Sequence, residues 1–501
     1  MISDLTPASL SLNNANLARF HQTIRVPKYD RSILSPGLVH IGVGNFNRSH
    51  LALYLDDLLA AGDSSWSELG VGLLPSDRTT HFALAQQDFL YCLLERDSDH
   101  RTIRIVGSLI GHLYAPDSAE LVLERLSSPQ TRIVSMTVTE GGYFIDFSSK
   151  TFLDHHPEIQ RDLKNPGAPG TWIGYLAESA DRRRKAGHAP FTVLSCDNLA
   201  ENGNAARYAL SSFAGLRDSS LRRWIETNVA FPNSMVDRIT PRATREDKAR
   251  IATDYGIDDL CPVVAEPFRQ WVLEDTFAAG RPAWERVGAQ MTTDVRPYEK
   301  MKMRLLNGGH SAIGYPAALL GFTYVADATK DPSLNRLLTG YLREVRPLIP
   351  PLPGVDIDEY AATVIQRFAN ETIKDQISRI CSSGVAKITS FILPSISSLL
   401  GQGKNIPVLS LVIASWLFYM RGTDERGRTM EIVDASWNLF QPFCADGARD
   451  ARLAVSVQSV FGDIAHTRPG FVLSIQQCLS DLRTFGTREA VALALSRSKS
   501  T

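Results

Sequence analysis

Short apolar runs alternate with helical patterns through the N-terminal part of the chain. Runs of this kind, bounded by Gly, Pro, Asn and Asp, predict buried strands. They lie at 38–41, 69–74, 91–95, 102–110, 132–138 and 191–195. Helical spacing begins near Ser49 and returns at 118–126 and 172–185. Strands that alternate with helices predict an α/β domain, with a mostly parallel sheet covered by helices on both faces.

The pattern changes near Tyr298, where strand signals fade and helical runs follow one another. The helical runs lie at 305–320, 334–345, 357–368, 388–400, 406–420 and 452–461. We therefore predict two domains, an α/β domain at residues 1–294 and a mostly α-helical domain at residues 295–501.

The first predicted strand ends in a glycine turn. Gly42-Val43-Gly44-Asn45-Phe46 follows residues 38–41 directly, and a helix pattern begins near Ser49. A strand, a glycine turn and a helix N-terminus together receive the pyrophosphate of a dinucleotide, because backbone N–H groups point at it. The first domain is therefore predicted to be a Rossmann-like, doubly wound, dinucleotide-binding domain. Asn47 stands where the third glycine of the motif is expected, so an ordinary tight turn is the alternative.

An acidic residue follows the second predicted strand. Asp77 lies where such domains place an acid that accepts hydrogen bonds from the adenosine ribose, which favours NAD as the cofactor. Arg78 beside it would equally suit the 2′-phosphate of NADP.

The stretch YEKMKMRLLNGGHSAIGY, residues 298–315, holds the most reactive combination of side chains. On a regular helix Asn307 lies about 140° from Lys302 and His310 lies about 80° from it, so all three could face one cavity. A buried lysine can take a proton, an amide can donate to an oxyanion and an imidazole can orient a hydroxyl. The same spacing also fits an amphipathic core helix with Lys302 in solvent.

Polar clusters also follow several predicted strands of the first domain. They are Thr137 to Tyr143 and Ser195 to Asn198, and a third polar cluster, Phe231 to Arg238, lies before Ile239-Thr240-Pro241. Ligands of open α/β sheets collect at the carboxyl ends of strands, so these clusters are candidate binding residues. Capping of loops is the alternative for each of the first two clusters.

Charge and composition narrow the class of function. The 501 residues carry a net charge of −1, which gives no electrostatic footprint for nucleic acid. No two of the six cysteines have C-x-x-C spacing and none lies near paired histidines, so neither a metal site nor a disulfide scaffold is expected. The polar N-terminus and the short apolar segment at 406–420 predict neither a signal peptide nor a membrane span. A cytoplasmic protein is expected.

Seven stretches occur in an order that resembles the polyol-specific long-chain dehydrogenase/reductase family. They run from about residue 38 to residue 390, and the helical remainder of the chain is consistent with the resemblance. The stretches are HIGVGNFNRSH, TVTEGGY, SCDNLAENG, FPNSMVDRITP, AEPFRQWVLED, YEKMKMRLLNGGHSA and RFANETIKDQISRICSSGVAKI.

The resemblance implies roles for the reactive positions. Lys302 becomes the general base, and Asn198 and Asn307 become the amide donors to the alkoxide. His310 would orient the substrate oxygens. The remaining implied roles are the proton path for Glu299 with its companion Glu140, and contacts to the distal hydroxyls of the sugar for Arg379 and Lys387.

The resemblance also implies a cofactor site without a metal. Gly42, Gly44 and Phe46 would line the pyrophosphate turn together with Asn45, Asn47 and Arg48. Asp77 lies where the family sets its cofactor preference, and Val236 and Asp237 fall near the nicotinamide end. Asn47 replaces the histidine that is usual in the family's turn.

The expected activity is metal-independent oxidation of D-mannitol by NAD to D-fructose and NADH by a monomer. Arabinitol dehydrogenase and hexuronate reductase, acting on fructuronate or tagaturonate, are alternatives within the family. A binding module that senses NADH without turnover is an alternative from another class. The Tyr298-x-x-x-Lys302 spacing of short-chain dehydrogenases also occurs, but the glycine-rich turn of that class does not.

Overall fold

The computed structural model describes residues 9–98, 100–147, 149–444 and 449–499. The chain separates into two compact units, Met1–Arg296 and Pro297–Thr501. The first unit contains all the strands of the described residues and the second is built from helices. The predicted α/β and helical fold classes are confirmed.

Five parallel strands form the central sheet of the first unit. Their spatial order is Thr192–Ser195, Ile133–Met136, Pro36–Ile41, Ser67–Gly72 and Leu109–Tyr114. The chain runs outward in one direction from Pro36–Ile41 and then returns to build the other side. This reversal leaves a crevice at the carboxyl ends of Pro36–Ile41 and Ile133–Met136, where open α/β sheets bind ligands.

Alternate residues of the first central strand enter two different cores. Val39 and Ile41 belong to one buried cluster, together with Trp172 and Leu176 of an outer helix. Leu38 belongs to another buried cluster on the opposite face. A strand buried on both faces needs a continuous apolar run, which explains why residues 38–41 do not alternate with exposed polar positions.

Helices of the first unit cover the sheet. The structure has them at Asn45–Ser49, Leu51–Ala60, Arg78–Gln86, Ala119–Ser127, Pro157–Lys164, Trp172–Ala186, Asn202–Arg217, Ser219–Asn228 and Arg245–Tyr255. The predicted helix near Ser49 is two helices, because His50 leaves helical geometry with φ −122° and ψ −87° between them.

Smaller sheets complete the first unit. One contains Val263–Ala265, Tyr91–Arg96 and Arg101–Val106, and another contains Ser234–Asp237, Gln270–Glu274 and Gln290–Thr292. Leu10–Ser11 pairs with Ile257–Asp258, and Ile145–Asp146 pairs with Thr151–Phe152.

The prediction of one strand at 102–110 is wrong. The chain breaks at Gly107 and Ser108, and the two halves join different sheets. The break is held by hydrogen bonds, since the Gly107 N–H donates to Asp56 Oδ1 at 2.9 Å and the Ser108 hydroxyl donates to the Ala52 carbonyl at 2.6 Å. These partners are distant in sequence, so the apolar pattern alone could not reveal the break.

The second unit packs around one apolar helix, Pro407–Tyr419, of which every residue is buried. Pro407 lies in the first turn, where its missing N–H leaves no helical hydrogen bond unmade. The other helices are Arg296–Lys302, Gly308–Leu319, Val325–Lys330, Pro332–Val345, Ile357–Phe368, Ile377–Cys381, Gly384–Lys387, Leu393–Gly401, Trp437–Cys444, Ala451–Val455, Gln458–Phe461, Ile464–Thr467 and Pro469–Lys499. Two π-helical segments, Met303–Asn307 and Ile388–Ile392, join some of them.

Two C-terminal features differ from the predictions. The expected helix at 452–461 is two short helices, and the helix Pro469–Lys499, bent at Gly486, was not predicted at all. Among the described residues, Gly384–Gly401 has the length and apolar composition of a membrane span, and Pro407–Tyr419 is shorter. Buried core helices of other proteins can have the same length and apolar composition, so Gly384–Gly401 is weak evidence for a membrane span.

Candidate active site

The glycine turn follows Pro36–Ile41 and is hydrogen-bonded to the residue after Ile133–Met136, the other strand that borders the crevice. Gly42 has φ +89°, and its carbonyl accepts a hydrogen bond from the Thr137 hydroxyl at 2.7 Å. A Cβ atom at Gly42 would lie 2.3 Å from the Thr137 carbonyl oxygen, so only glycine fits. At Gly44 an added Cβ would meet nothing nearer than 3.9 Å, which leaves open space beside the turn for a ligand.

Side chains after the turn brace it from within the protein. The buried Arg48 guanidinium donates to the Gly44 carbonyl at 3.3 Å, to Asn45 Oδ1 at 2.9 Å and to the Cys261 carbonyl at 2.5 Å. Phe46 is half-buried and its ring stacks on His50 with centroids 4.9 Å apart. Arg48 and Asn45 therefore fix the shape of the turn.

Asn47 is buried beside a carboxyl group of the second central strand. Burial raises the pKa of Glu68 to about 8, and the neighbouring Asn47 side chain acts in the opposite direction. Asn47 and Glu68 are both almost fully shielded from solvent. Asn47, where the resemblance expects a histidine, therefore lies on the protein side of the turn.

Asp77 follows the second central strand in the short 3₁₀ helix Pro75–Asp77. Its side chain is half-buried, and Oδ2 accepts a hydrogen bond from the Leu74 N–H at 2.9 Å. Arg78 is exposed and its guanidinium lies 5.4 Å from the centre of the Phe82 ring.

The buried Asp197 forms hydrogen bonds between the loops that follow two neighbouring strands. Asp197 accepts hydrogen bonds from the Val138 N–H at 3.1 Å, the Thr139 N–H at 2.9 Å and the Tyr143 hydroxyl at 2.8 Å. Burial raises the pKa of Asp197, and the backbone donors partly offset that effect. Loop capping, the alternative for these clusters, is thus correct for Asp197.

The reactive candidates in these loops lie at the surface of the chain. Asn198 is exposed directly after Asp197, and Glu140 is exposed at the start of the 3₁₀ helix Glu140–Tyr143. Asn202, which sequence reasoning missed, is buried and its amide donates to the Asp197 and Ser234 carbonyls at 3.0 and 2.9 Å. These hydrogen bonds hold the main chain next to Asn198 in place.

The third cluster forms a buried strand. Val236 and Asp237 lie in Ser234–Asp237, and both are buried. Arg238 follows them and donates to the Glu266 carbonyl at 3.0 Å, to the Ser49 carbonyl at 2.5 Å and to the Glu95 carboxylate. Its buried charge ties this strand to the end of the helix that follows the glycine turn.

The lysine helix, defined here as Arg296–Leu319, contains Lys302, Asn307 and His310. Lys302 is only 5% exposed, so the alternative of a solvated lysine is wrong. Glu299 and Asn307 are buried as well. A buried ammonium group is disfavoured unless it is paired or loses its proton. A lysine that acts as a general base must be able to lose its proton, and burial favours that loss.

A π-helical segment separates Lys302 from His310. The prediction of a regular helix is wrong here, because Met303–Asn307 forms wider turns than an α-helix and changes the angles of about 140° and 80° expected from α-helical geometry. The Tyr341 hydroxyl donates to the Arg304 carbonyl at 2.8 Å, inside this segment. A Cβ atom at Gly308 would lie 1.9 Å from that hydroxyl, so the first of the two adjacent glycines admits the tyrosine.

His310 presents a nitrogen without a hydrogen-bond partner. Its ring stacks on Phe368 with centroids 4.1 Å apart, and its buried Nε2 lies 3.9 Å from Asp375 Oδ2. Burial lowers the pKa of His310 to about 3; the Asp375 charge opposes this shift, whereas nearby cations, among them Arg379, reinforce it. The imidazole is therefore neutral at pH 7 and can accept or donate one hydrogen bond at Nε2.

Arg379 and Lys387, for which the resemblance implies contacts to the sugar, lie close to His310. Arg379 donates to both oxygens of Asp375, from Nε at 2.6 Å and from Nη2 at 2.5 Å. Lys387 donates to the carbonyls of Arg379 and Ile380 at 3.1 and 2.9 Å, and burial lowers its pKa to about 8. The structure thus brings His310, Arg379 and Lys387 together in the second unit.

Asp375 is a site residue that sequence reasoning missed. Its only signal is the D-x-x-x-R spacing to Arg379, which is common on helix surfaces and carries little information. Among the described residues no group of three or more His, Cys, Asp and Glu side chains could hold a metal ion.

Two family models match the chain. Residues 36–286 match the mannitol dehydrogenase Rossmann domain and residues 294–483 match the mannitol dehydrogenase C-terminal domain. The chain belongs to the mannitol dehydrogenase family. The predicted family is confirmed, and a second-unit site built on Lys302, Asn307 and His310 lies within the part of the chain that the C-terminal model matches.

Relatives in the mannitol dehydrogenase family match almost the whole chain. A mannitol 2-dehydrogenase of Aspergillus clavatus is 42% identical over 491 residues, which is 96% of this chain and 98% of the relative. A Pseudomonas fluorescens mannitol 2-dehydrogenase, solved as a ternary complex with NAD and D-mannitol, is 41% identical with a TM-score of 0.89 and covers 97% of this chain and 100% of its own. A D-sorbitol dehydrogenase structure is 38% identical with a TM-score of 0.88 and covers 96% of this chain and 100% of its own.

Proposed function

We propose that this enzyme oxidises D-mannitol to D-fructose with NAD. The observation that carries the proposal is a buried lysine, Lys302, on one helix with a buried amide and a neutral imidazole, in a chain of the mannitol dehydrogenase family. These are the groups needed to remove a hydroxyl proton and to hold the resulting negative oxygen.

Lys302 is proposed as the general base. The hydroxyl proton of the polyol must leave as the carbon is oxidised, since a protonated carbonyl would otherwise form. Burial disfavours the charged ammonium, so the amine can take the proton and later return it. Glu299, buried three residues earlier on the same helix, and Glu140 are proposed for the onward path of that proton to solvent.

Amide and imidazole groups are proposed to hold the reacting oxygen. Asn307 is buried and carries two N–H donors, and Asn198 is proposed as the second amide. Loss of one such donor in other enzymes costs about 2.7–4 kcal/mol in the transition state. His310 supplies a neutral ring whose Nε2 has no hydrogen-bond partner, which suits contact with an uncharged hydroxyl.

The first unit has the features that a dinucleotide requires. Gly44 borders open space at the carboxyl end of the first central strand, and Gly42 makes the tight turn beneath it. NAD, when bound, accepts a hydride at its nicotinamide ring. Asp77 after the second strand favours the ribose hydroxyls of NAD over the phosphate of NADP.

The hexuronate alternative would require a cation ready to bind the substrate carboxylate. Arg379 already holds the Asp375 carboxylate in two hydrogen bonds, and Lys387 donates to two backbone carbonyls. This pairing favours an uncharged polyol. The observed likeness to a D-sorbitol dehydrogenase keeps sorbitol within the range of substrates to be tested.

The decisive experiment is steady-state NADH formation with a panel of mannitol, arabinitol and sorbitol, together with NADH consumption on D-fructose and D-fructuronate. We expect the highest kcat/KM for mannitol with NAD and a much lower value with NADP. Activity on the uronate alone would overturn the proposal. Binding of NADH without turnover of any substrate would support the sensing module instead.

We further propose a monomer in a reducing compartment such as the cytosol. The cysteines 92, 196, 261, 381, 444 and 478 are all free thiols, and five of the six are buried. Light scattering is expected to give a mass close to the 55.3 kDa of one chain. A dimer mass would contradict the proposed monomer without affecting the activity.

A further inference from the structure

The buried carboxylate of Asp375 is hydrogen-bonded to Arg379, the exposed arginine of the candidate sugar site. The Arg379 side chain is 59% exposed, whereas the Asp375 side chain is 9% exposed. The Asp375 carboxylate accepts hydrogen bonds from Nε and Nη2 of the Arg379 guanidinium at 2.6 and 2.5 Å. This bidentate geometry is the one that a carboxylate of a ligand would also use.

The charge of Asp375 changes what Arg379 can bind. A guanidinium paired with a carboxylate still has N–H donors for hydroxyl groups, since it carries five in all. Its attraction for a further carboxylate is offset by the negative charge already beside it. Asp375 Oδ2 also lies 3.9 Å from His310 Nε2, so the same charge borders the neutral imidazole.

Other charged groups around His310 are cationic. Arg367 and Lys387 influence the ring with the same sign as Arg379, and Asp375 is the carboxylate that opposes them. Without Asp375 the Arg379 guanidinium would lose the carboxylate that accepts two of its hydrogen bonds, and it would attract anions more strongly. Asp375 therefore shifts the electrostatic preference around Arg379 and His310 away from anions.

We propose that Asp375 is a specificity-determining residue that, by neutralising Arg379, makes the site select uncharged polyols and ketoses against sugar acids of the same length. This inference rests on the proposed function. D-Fructuronate differs from D-fructose by a terminal carboxylate in place of the hydroxymethyl group. That carboxylate would meet the negative charge of Asp375 instead of an unpaired guanidinium.

The test compares Asp375→Asn with wild type in NADH-dependent reduction of D-fructose and D-fructuronate. Asparagine keeps the shape and one acceptor of aspartate but removes its charge. We expect the ratio of kcat/KM for fructuronate to that for fructose to rise by about tenfold or more, which corresponds to about 1.4 kcal/mol. A merely structural defect would lower both values and would not raise the ratio.

Asp275→Asn is the matched control. Asp275 also accepts a bidentate pair of hydrogen bonds from an arginine, Arg281, at 2.6 and 2.8 Å, but it lies in the first unit. Its substitution removes the same net charge from the protein, and the ratio is expected to stay at the wild-type value. An equal rise in both variants would overturn the role of Asp375.

A measurement on the wild-type enzyme covers the case in which Asp375→Asn does not fold. D-Fructuronate is expected to inhibit fructose reduction only weakly, with an inhibition constant about tenfold or more above the KM for fructose. Equal affinity for the two would overturn the inference. A wild-type enzyme that turns over no polyol or ketose overturns the proposed function as well, whereas fructose reduction with an unchanged ratio in Asp375→Asn overturns this inference alone.

Discussion

Lys302, Asn307 and His310 of the lysine helix differ in chemical character because their surroundings differ. Lys302 is almost fully shielded from solvent. The Asn307 amide donates to the Met303 sulfur at 3.0 Å. A thioether sulfur is a weak acceptor, so a ligand oxygen could replace it. His310 stays neutral because burial lowers its pKa to about 3. Each residue is thus prepared for contact with an uncharged, oxygen-rich ligand.

Replacing Lys302 by alanine is expected to abolish polyol oxidation while NADH still binds. The amine is the proposed proton acceptor, whereas the dinucleotide turn lies in the first unit. Steady-state NADH formation and fluorescence titration with NADH measure the two effects. Lys300→Ala, which removes an exposed lysine two positions earlier, is the control and should keep near-native turnover. Near-native turnover in Lys302→Ala would remove the lysine from the mechanism.

Replacing Asn307 by alanine is expected to lower kcat by about a hundredfold or more, because the amide acts on the oxygen chiefly as negative charge develops. KM should change little. Steady-state kinetics with mannitol and NAD separate the two constants. A rise in KM at constant kcat would speak against the proposed oxyanion contact and indicate uniform substrate binding.

At the scale of the element, the lysine helix is shaped by a contact made elsewhere in the second unit. Tyr341, on the helix Pro332–Val345, donates its hydroxyl to the Arg304 carbonyl within the π-helical segment. Wider turns leave carbonyl groups without the usual i+4 partner, and a side-chain donor can satisfy one of them. Gly308 is needed for the tyrosine to approach.

Gly308→Ala is expected to destabilise the protein by about 1–3 kcal/mol and to lower kcat, because the added methyl group cannot fit beside the Tyr341 hydroxyl. Urea unfolding and steady-state kinetics measure both changes. Gly309→Ala is the matched control, since its added Cβ would make only ordinary contacts at 3.4 Å or more.

The double variant Gly308→Ala with Tyr341→Phe tests the cause. Removing the hydroxyl relieves the closest contact, so part of the lost stability should return. No recovery would show that the glycine is required for another reason.

The central sheet shows which element-level predictions an apolar pattern supports. Strands buried on both faces, such as Pro36–Ile41, give continuous apolar runs and were predicted to within a few residues. The break at Gly107 and Ser108 and the long helix Pro469–Lys499 were missed. The break depends on contacts with Asp56 and Ala52, which a local pattern does not contain.

At the scale of the whole molecule, buried ionisable groups make stability depend on pH. Burial raises the pKa of Glu68 to about 8, well above its ordinary value. Between pH 4.5 and about 8 the native state keeps a proton that the unfolded chain loses, so the free energy of unfolding falls as the pH rises through that window.

Glu68→Gln removes this titration. The stability of the variant relative to wild type is expected to rise by about 1.4 kcal/mol for each pH unit between pH 5 and pH 8. Urea unfolding at several pH values, followed by tryptophan fluorescence, measures the difference. Glu124→Gln, the same substitution at an exposed position, is the control variant. A constant difference across the range would contradict a raised pKa for Glu68.

The sequence by itself determined the family, the order of the α/β and helical units and the identity of the glycine turn and the reactive helix. These depend on apolar periodicity, on the turn residues and on short ordered motifs, all of which are local in the chain. It predicted Lys302, Asn307 and His310 together, although only on the assumption of a regular helix.

Only the tertiary structure decided that Lys302 is shielded from solvent, that the helix widens after it, and that Asp375 pairs with Arg379 beside His310. Burial depends on which helices pack around a residue, and the π-helical segment depends on Tyr341, which lies more than thirty residues further along the chain. The charge state of each group follows from those distant neighbours, because desolvation and nearby charges set its pKa.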